Sequence, residues 1–137
     1  MKKCTKIMVE LKLSFAEEID VYSLSEKIGL SPTRLKNKSE IKRNLFNEEQ
    51  LPAVWFINTG YVQNSDLEEV ANVFFAKIQP HFEAIKKVLQ DYKGMAHFCI
   101  VPEIIRNDKP SLFFNKIFLD SIHYLDATVD IDMYFYG

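Results

Sequence analysis

The chain ends in ATVDIDMYFYG, Ala127 to Gly137, a stretch that sets two carboxylates and two phenols at every second position. Successive side chains of a strand point to opposite faces, so Thr128, Asp130, Asp132, Tyr134 and Tyr136 share one face and Val129, Ile131, Met133 and Phe135 the other. The apolar set is expected to pack under helices and the polar set to stay open. Two aspartates spaced this way lie about 7 Å apart, which would suit a divalent metal or an acid and base pair. His97 and Cys99, also two residues apart, would join them if their strand lies beside the last one, adding an imidazole and a thiol to the same face.

Each feature also has a plainer reading. An Asp-x-Asp on the wet side of a strand is usually just solvated, and the sequence fixes no third carboxylate or histidine nearby to complete a metal set or a catalytic group. A lone His and a lone Cys in an apolar strand mostly pack. No G-x-S-x-G, H-E-x-x-H, Walker or dinucleotide fingerprint occurs. No catalytic residue, metal ligand or cofactor is therefore assigned. Tyrosines flanked by charge are typical of protein interfaces, so Asp130, Asp132, Tyr134, Tyr136 and His97 are expected to form a binding surface.

A second candidate is basic. In RLKNKSEIKRN, the residues Arg34, Lys36, Lys38, Lys42 and Arg43 stand against Glu40 alone, and such a cluster can contact phosphates. It lacks interleaved aromatics, a helix-turn-helix pattern and a Gly-rich phosphate loop, so a solvated loop or a protein contact is favoured over nucleic acid. The formal charge of -2 gives no general attraction to DNA or to an anionic membrane.

These residues need a scaffold, and the chain is long enough for one. A single domain of 137 residues buries about two-thirds of its unfolded surface, and the aromatic-rich, glycine-poor composition points to a filled core. From Thr5 to Leu13, Ile7, Val9, Leu11 and Leu13 alternate with Lys6, Glu10 and Lys12, as in a half-buried strand. DVYSLSEKIGL reads as a short helix capped by Asp20 and stopped by Gly29 in a left-handed turn. PAVWFINTG has the content of a more central strand. Ser65 and Glu68 make a capping box ahead of Leu67, Val70, Ala71, Phe74, Ile78, Phe82, Ile85 and Leu89, a long amphipathic helix that Pro80 should bend without breaking. MAHFCIVPEII and PSLFF read as a hairpin around the RNDK turn, and Asn115 caps a final helix with Phe118, Ile122 and Leu125 inward. The expected architecture is α+β: an antiparallel-rich sheet of about five strands with helices packed on one face.

The opening MKKCTKIMVELKLSF is broken by Glu10 and Lys12 before it can serve as a signal peptide, and no apolar window is long enough to span a membrane. Two cysteines, Cys4 and Cys99, make no disulfide framework and read as reduced thiols. The expected setting is the cytoplasm, without a membrane.

IGLSPTR after a short helix, a single Trp55 in the next strand, a long helix, then Pro-x-Leu and a terminal DIDMYFY together resemble an uncharacterised bacterial family, domain of unknown function 4279. The resemblance covers nearly the whole chain and rests most on Gly29, Pro32, Thr33, Trp55, Asp132 and Tyr134. The Lys-rich loop departs from the family pattern, which tends to a Gly-containing turn there. The resemblance implies a small intracellular domain, some relatives of which look like immunity proteins encoded beside secreted toxins; it supplies no catalytic residues. The expectation is a non-enzymatic protein-binding module, most concretely of the immunity type, whose partner is another protein or a second copy of the chain. The alternative is a small metal- or acid/base-dependent enzyme using Asp130, Asp132 and His97.

Overall fold

The alternation at the start of the chain forms a ten-residue strand, β1 (Lys6–Phe15), whose Ile7, Val9, Leu11, Leu13 and Phe15 are wholly buried on one face. The structure, a computed structural model, describes residues 4–36 and 53–137. β1 pairs antiparallel with β3 (Ala53–Asn58), where Leu13 faces Trp55, and with β5 (Met95–Ile105), where Leu11 faces Phe98. β2 (Arg34–Lys36) lies outside β3, and β4 (Val62–Gln63) pairs with the start of β1. β6 (Thr128–Ile131) and β7 (Tyr134–Tyr136) both run parallel to β5 and form the far edge. The order β2-β3-β1-β5-β6, with β4 and β7 beside β1 and β5, makes seven strands among the described residues. The class is α+β, with a mostly antiparallel sheet and helices over the face that carries the buried residues.

The helical layer comprises α1 (Leu24–Ile28), α2 (Leu67–Ile78), α3 (Phe82–Asp91) and α4 (Lys116–Tyr124). Gly29 ends α1 at φ +82°, the left-handed geometry that a residue without Cβ adopts at least cost. Trp55 is buried under this helix and its indole N–H donates to Ser25 Oγ at 3.2 Å. Thr33 ties the segment after Pro32 to β3: its N–H donates to the Phe56 carbonyl at 2.8 Å and its hydroxyl accepts the Asn58 N–H at 3.0 Å. Pro80 sits in a 3-10 turn, Gln79–His81, so the run from α2 into α3 is bent and remains helical. Phe75 lies at the centre of the core, its ring 5.0 Å from Phe118 and 5.6 Å from Phe98.

Three expectations are corrected. The N-cap of α2 is Asp66, whose Oδ1 accepts the Glu68 N–H at 3.0 Å, and not Ser65. The two segments after Gly94 do not form a hairpin. The turn exists, with Asn107 at φ +70° and the Asp108 N–H on the Ile105 carbonyl, but β5 is already flanked by β1 on one side and β6 and β7 on the other. With both its edges taken, residues 110–114 cross to the start of α2, where Ser111 exchanges backbone hydrogen bonds with Ser65 and Leu67. Finally, Ile131, Met133 and Phe135 are not under the helices: they are 41%, 43% and 73% exposed. Of the apolar set only Val129 packs on the core.

A short break separates β6 from β7, and Pro102 explains it. The Asp132 N–H donates to the Ile100 carbonyl at 2.9 Å. In a parallel ladder the donor next in line for the Asp132 carbonyl is the nitrogen of residue 102, and proline has none.

Candidate functional site

The sheet face opposite the helices carries the candidate residues, ordered by register into rows. Asn58, Glu10, Cys99 and Asp130 stand side by side across β3, β1, β5 and β6. The next row is Phe56, Lys12, His97 and Thr128, with Arg34 of β2 beside Phe56. Near the other end, Glu103 of β5 faces Tyr134 of β7. His97, Asp130, Asp132, Tyr134 and Tyr136 are thus brought to one face by the parallel pairing of β5 with the C-terminal strands. No helix among the described residues packs on that face.

Glu10, a residue the reading of the sequence placed only as polar alternation, is the most constrained group here. It is 6% exposed, and its Oε1 has no hydrogen-bond partner. Arg34 lies 3.7 Å from that oxygen, and its guanidinium sits over the Phe56 ring at 4.2 Å from the centroid. Burial pushes the Glu10 carboxyl above the ordinary range, while Arg34 and Lys12 pull it part of the way back. Arg34 is therefore engaged within the sheet, not on a loop. Lys36 is exposed on the same strand, and Lys38, Lys42 and Arg43 lie outside the described residues.

Of the groups proposed for nucleophilic or acid and base work, Cys99 is tuned away from its role. Burial raises the Cys99 thiol above its ordinary value, and Glu10, Asp130 and Asp132 raise it further, the reverse of an activated cysteine. Burial and the neighbouring Lys12 lower the His97 imidazole, with Asp130 opposing, which favours the neutral ring. Its Nδ1 is 2.5 Å from Thr128 Oγ1 and its Nε2 3.4 Å from Ser14 Oγ, so two hydroxyls hold it. Among the described residues no three His, Cys, Asp or Glu side chains converge as a metal set.

The phenols complete the face. Tyr134 donates its hydroxyl to Asp132 Oδ2 at 2.9 Å, and Tyr136 donates to Glu103 Oε2 at 3.3 Å. Both phenols are held above their ordinary values, Tyr134 first by the hydrogen bond to Asp132 and Tyr136 first by burial. Tyr61, from the turn between β3 and β4, reaches the same place: burial raises its hydroxyl first, then the neighbouring Glu103, Tyr136 and Asp132. Glu103 and Tyr61 were not among the residues singled out from the sequence. Glu103 lay in the segment read as half a hairpin, and Tyr61 follows a glycine in a turn whose direction no local pattern encodes. The result is a surface of carboxylate acceptors framed by three tyrosines, chemistry suited to cationic and polar groups on another molecule.

This fold and face define a protein with one mostly antiparallel sheet, helices on one side and a carboxylate and tyrosine surface on the other. The chain belongs to the family described as domain of unknown function (DUF4279), whose model matches residues 4–136. Comparisons with curated proteins and with solved structures give no significant match. No helix among the described residues is long and apolar enough to cross a membrane.

Proposed function

We propose that the chain is a non-enzymatic protein-binding module that engages its partner through the carboxylate and tyrosine face. One observation carries this reading: register brings Asp130, Asp132, Tyr134 and Tyr136 together with Glu103 and Tyr61 on a helix-free face, where large aromatic side chains with polar tips stand 42–48% exposed beside acceptors. Such side chains supply much contact area at little entropic cost, and they are over-represented where proteins meet. The immunity-type role, in which the chain covers the functional surface of a toxin inside the cytoplasm, is the specific form of this reading and rests on the family resemblance. A nucleophilic alternative is weakened at Cys99, whose environment opposes the thiolate such chemistry would use.

Replacing both aspartates, Asp130→Asn with Asp132→Asn, is expected to change stability by no more than about 0.5 kcal/mol, since both are exposed and the amide oxygen still accepts from Tyr134. A photo-crosslinking residue at position 134 should capture one protein from cells of the source organism, and the double variant should lose that product. The same residue at Val73, on the helical side, should not give it. A rise in melting temperature on adding Mg²⁺, Mn²⁺ or Zn²⁺ that disappears in the double variant would overturn the reading in favour of a metal-dependent enzyme.

A further inference from the structure

We infer that the C-terminal edge of the sheet is a strand-addition site, and that its occupant is an extended segment of another protein in which basic residues alternate with apolar ones. The inference rests on the binding-module reading and names the partner's chemistry at the same end of the sheet.

The backbone supplies the first reason. Because the Asp132 N–H points at β5, alternation turns the N–H and C=O groups of Val129, Ile131, Met133 and Phe135 the other way, outward from the sheet. No strand among the described residues lies on that side. Natural sheets blunt such edges with lysine, proline or a covering element, because unpaired groups invite a further strand. Here the edge carries no lysine, arginine or proline from Thr128 to Gly137.

The side chains supply the second reason, through charge and shape. An added strand would place its own residues beside Asp130 and Asp132 on one face and beside Ile131, Met133 and Phe135 on the other. The first face is acidic, with Glu103 one strand in, so opposite charge is favoured there. The second is apolar and uncovered by helices, so apolar residues are favoured there. Alternating basic and apolar residues meet both demands, and the backbone hydrogen bonds provide the sequence-independent part of the affinity. A second copy of the chain fits less well. Antiparallel self-pairing centred on Asp130, Ile131 or Asp132 sets an aspartate of one copy against an aspartate of the other, which is destabilising.

The test uses the whole chain and a synthetic peptide of about eight residues alternating arginine and valine, blocked at both ends, with two controls: the same composition in scrambled order, and the alternating peptide N-methylated at every residue, so that neither of its edges can donate. The alternating peptide should bind at least tenfold more tightly than either control. Amide signals of Ile131, Met133 and Phe135 should shift and gain exchange protection. Met133→Pro, which removes an outward N–H that the protein's own ladder does not use, should abolish binding; should that variant fail to fold, Ile131→Lys with Phe135→Lys asks the same question through two exposed side chains. Equal binding of scrambled or N-methylated peptide would overturn strand addition, as would normal binding by a folded edge variant. A concentration-dependent dimer that Met133→Pro abolishes would reassign the edge to a second copy. If the edge variant leaves the crosslink at position 134 intact while the Asn pair removes it, strand addition falls and the binding face stands; if neither variant affects that crosslink, the face reading falls on its own.

Discussion

Phe75→Ala is expected to cost about 3–5 kcal/mol of folding free energy, the range for removing a large aromatic side chain from a close-packed interior. Phe75 is 1% exposed, and its ring meets Phe74, Phe82, Phe98 and Phe118, so the loss touches α2, α3, α4 and β5 together. The surrounding aromatics are rigid and shared between elements, which limits collapse into the space left behind. A domain of this size has about 5–15 kcal/mol of stability in total, so the variant should sit near the edge of folding. Urea denaturation should show a lower midpoint with an unchanged slope, and Phe113→Ala, at a ring 59% exposed, should stay within about 0.5 kcal/mol of the parent. A loss under about 1 kcal/mol at Phe75 would show that the helices are not held to β5 through this cluster. The consequence reaches the binding surface, because β5 orders His97, Cys99 and the parallel C-terminal strands.

Glu10→Gln is expected to stabilise the protein at neutral pH. The folded state holds the Glu10 proton more tightly than the unfolded chain, whose carboxyl titrates near the ordinary 4.5, because burial disfavours the ionised form. The resulting cost is full above the raised folded value, shrinks as pH falls through it, and is gone below 4.5. Gln keeps the acceptor oxygen but carries no charge to desolvate, so Glu10→Gln should gain on the order of 1 kcal/mol at pH 7 and lose that advantage as the pH approaches 4. Arg34→Ala should do the reverse, destabilising the chain at pH 7 by removing the cation 3.7 Å from Glu10, with less effect in acid. Thermal melts of the three proteins between pH 4 and pH 8 check both signs. A Glu10→Gln protein less stable than the parent at neutral pH would mean that the Arg34 pair outweighs the desolvation of Glu10.

Much of this molecule was legible wherever a local rule was enough. The two-residue period of β1 named its buried face, and the helical spacing from Leu67 to Leu89 named the core side of α2 and α3 across Pro80. Gly29 and Asn115 marked helix ends through their own backbone and side-chain chemistry. At the start of α2 the same kind of rule missed by one residue, because Ser65 and Asp66 are both able caps and only the path from Ser111 into Ser65 and Leu67 selects between them. The polar alternation of the last strand was also plain, and with it the candidate residues on its open side.

Position along the chain, then, determined which face of each element is polar and where helices begin and stop, since these depend on neighbours within one turn or one pleat. The tertiary structure alone decided which strands are neighbours, because pairing joins residues far apart in sequence and no local pattern carries that information. Turn chemistry in RNDK allowed a hairpin; the occupation of both sides of β5 denied it. Apolar spacing assigned Ile131, Met133 and Phe135 to the core; their place on the outer edge of the sheet, beyond the core cluster, left them in water. Glu10 was a polar residue on a wet face until β2 set Arg34 over Phe56 and burial closed around its carboxylate, where desolvation, a property of surroundings and not of spacing, raised its carboxyl above the ordinary range.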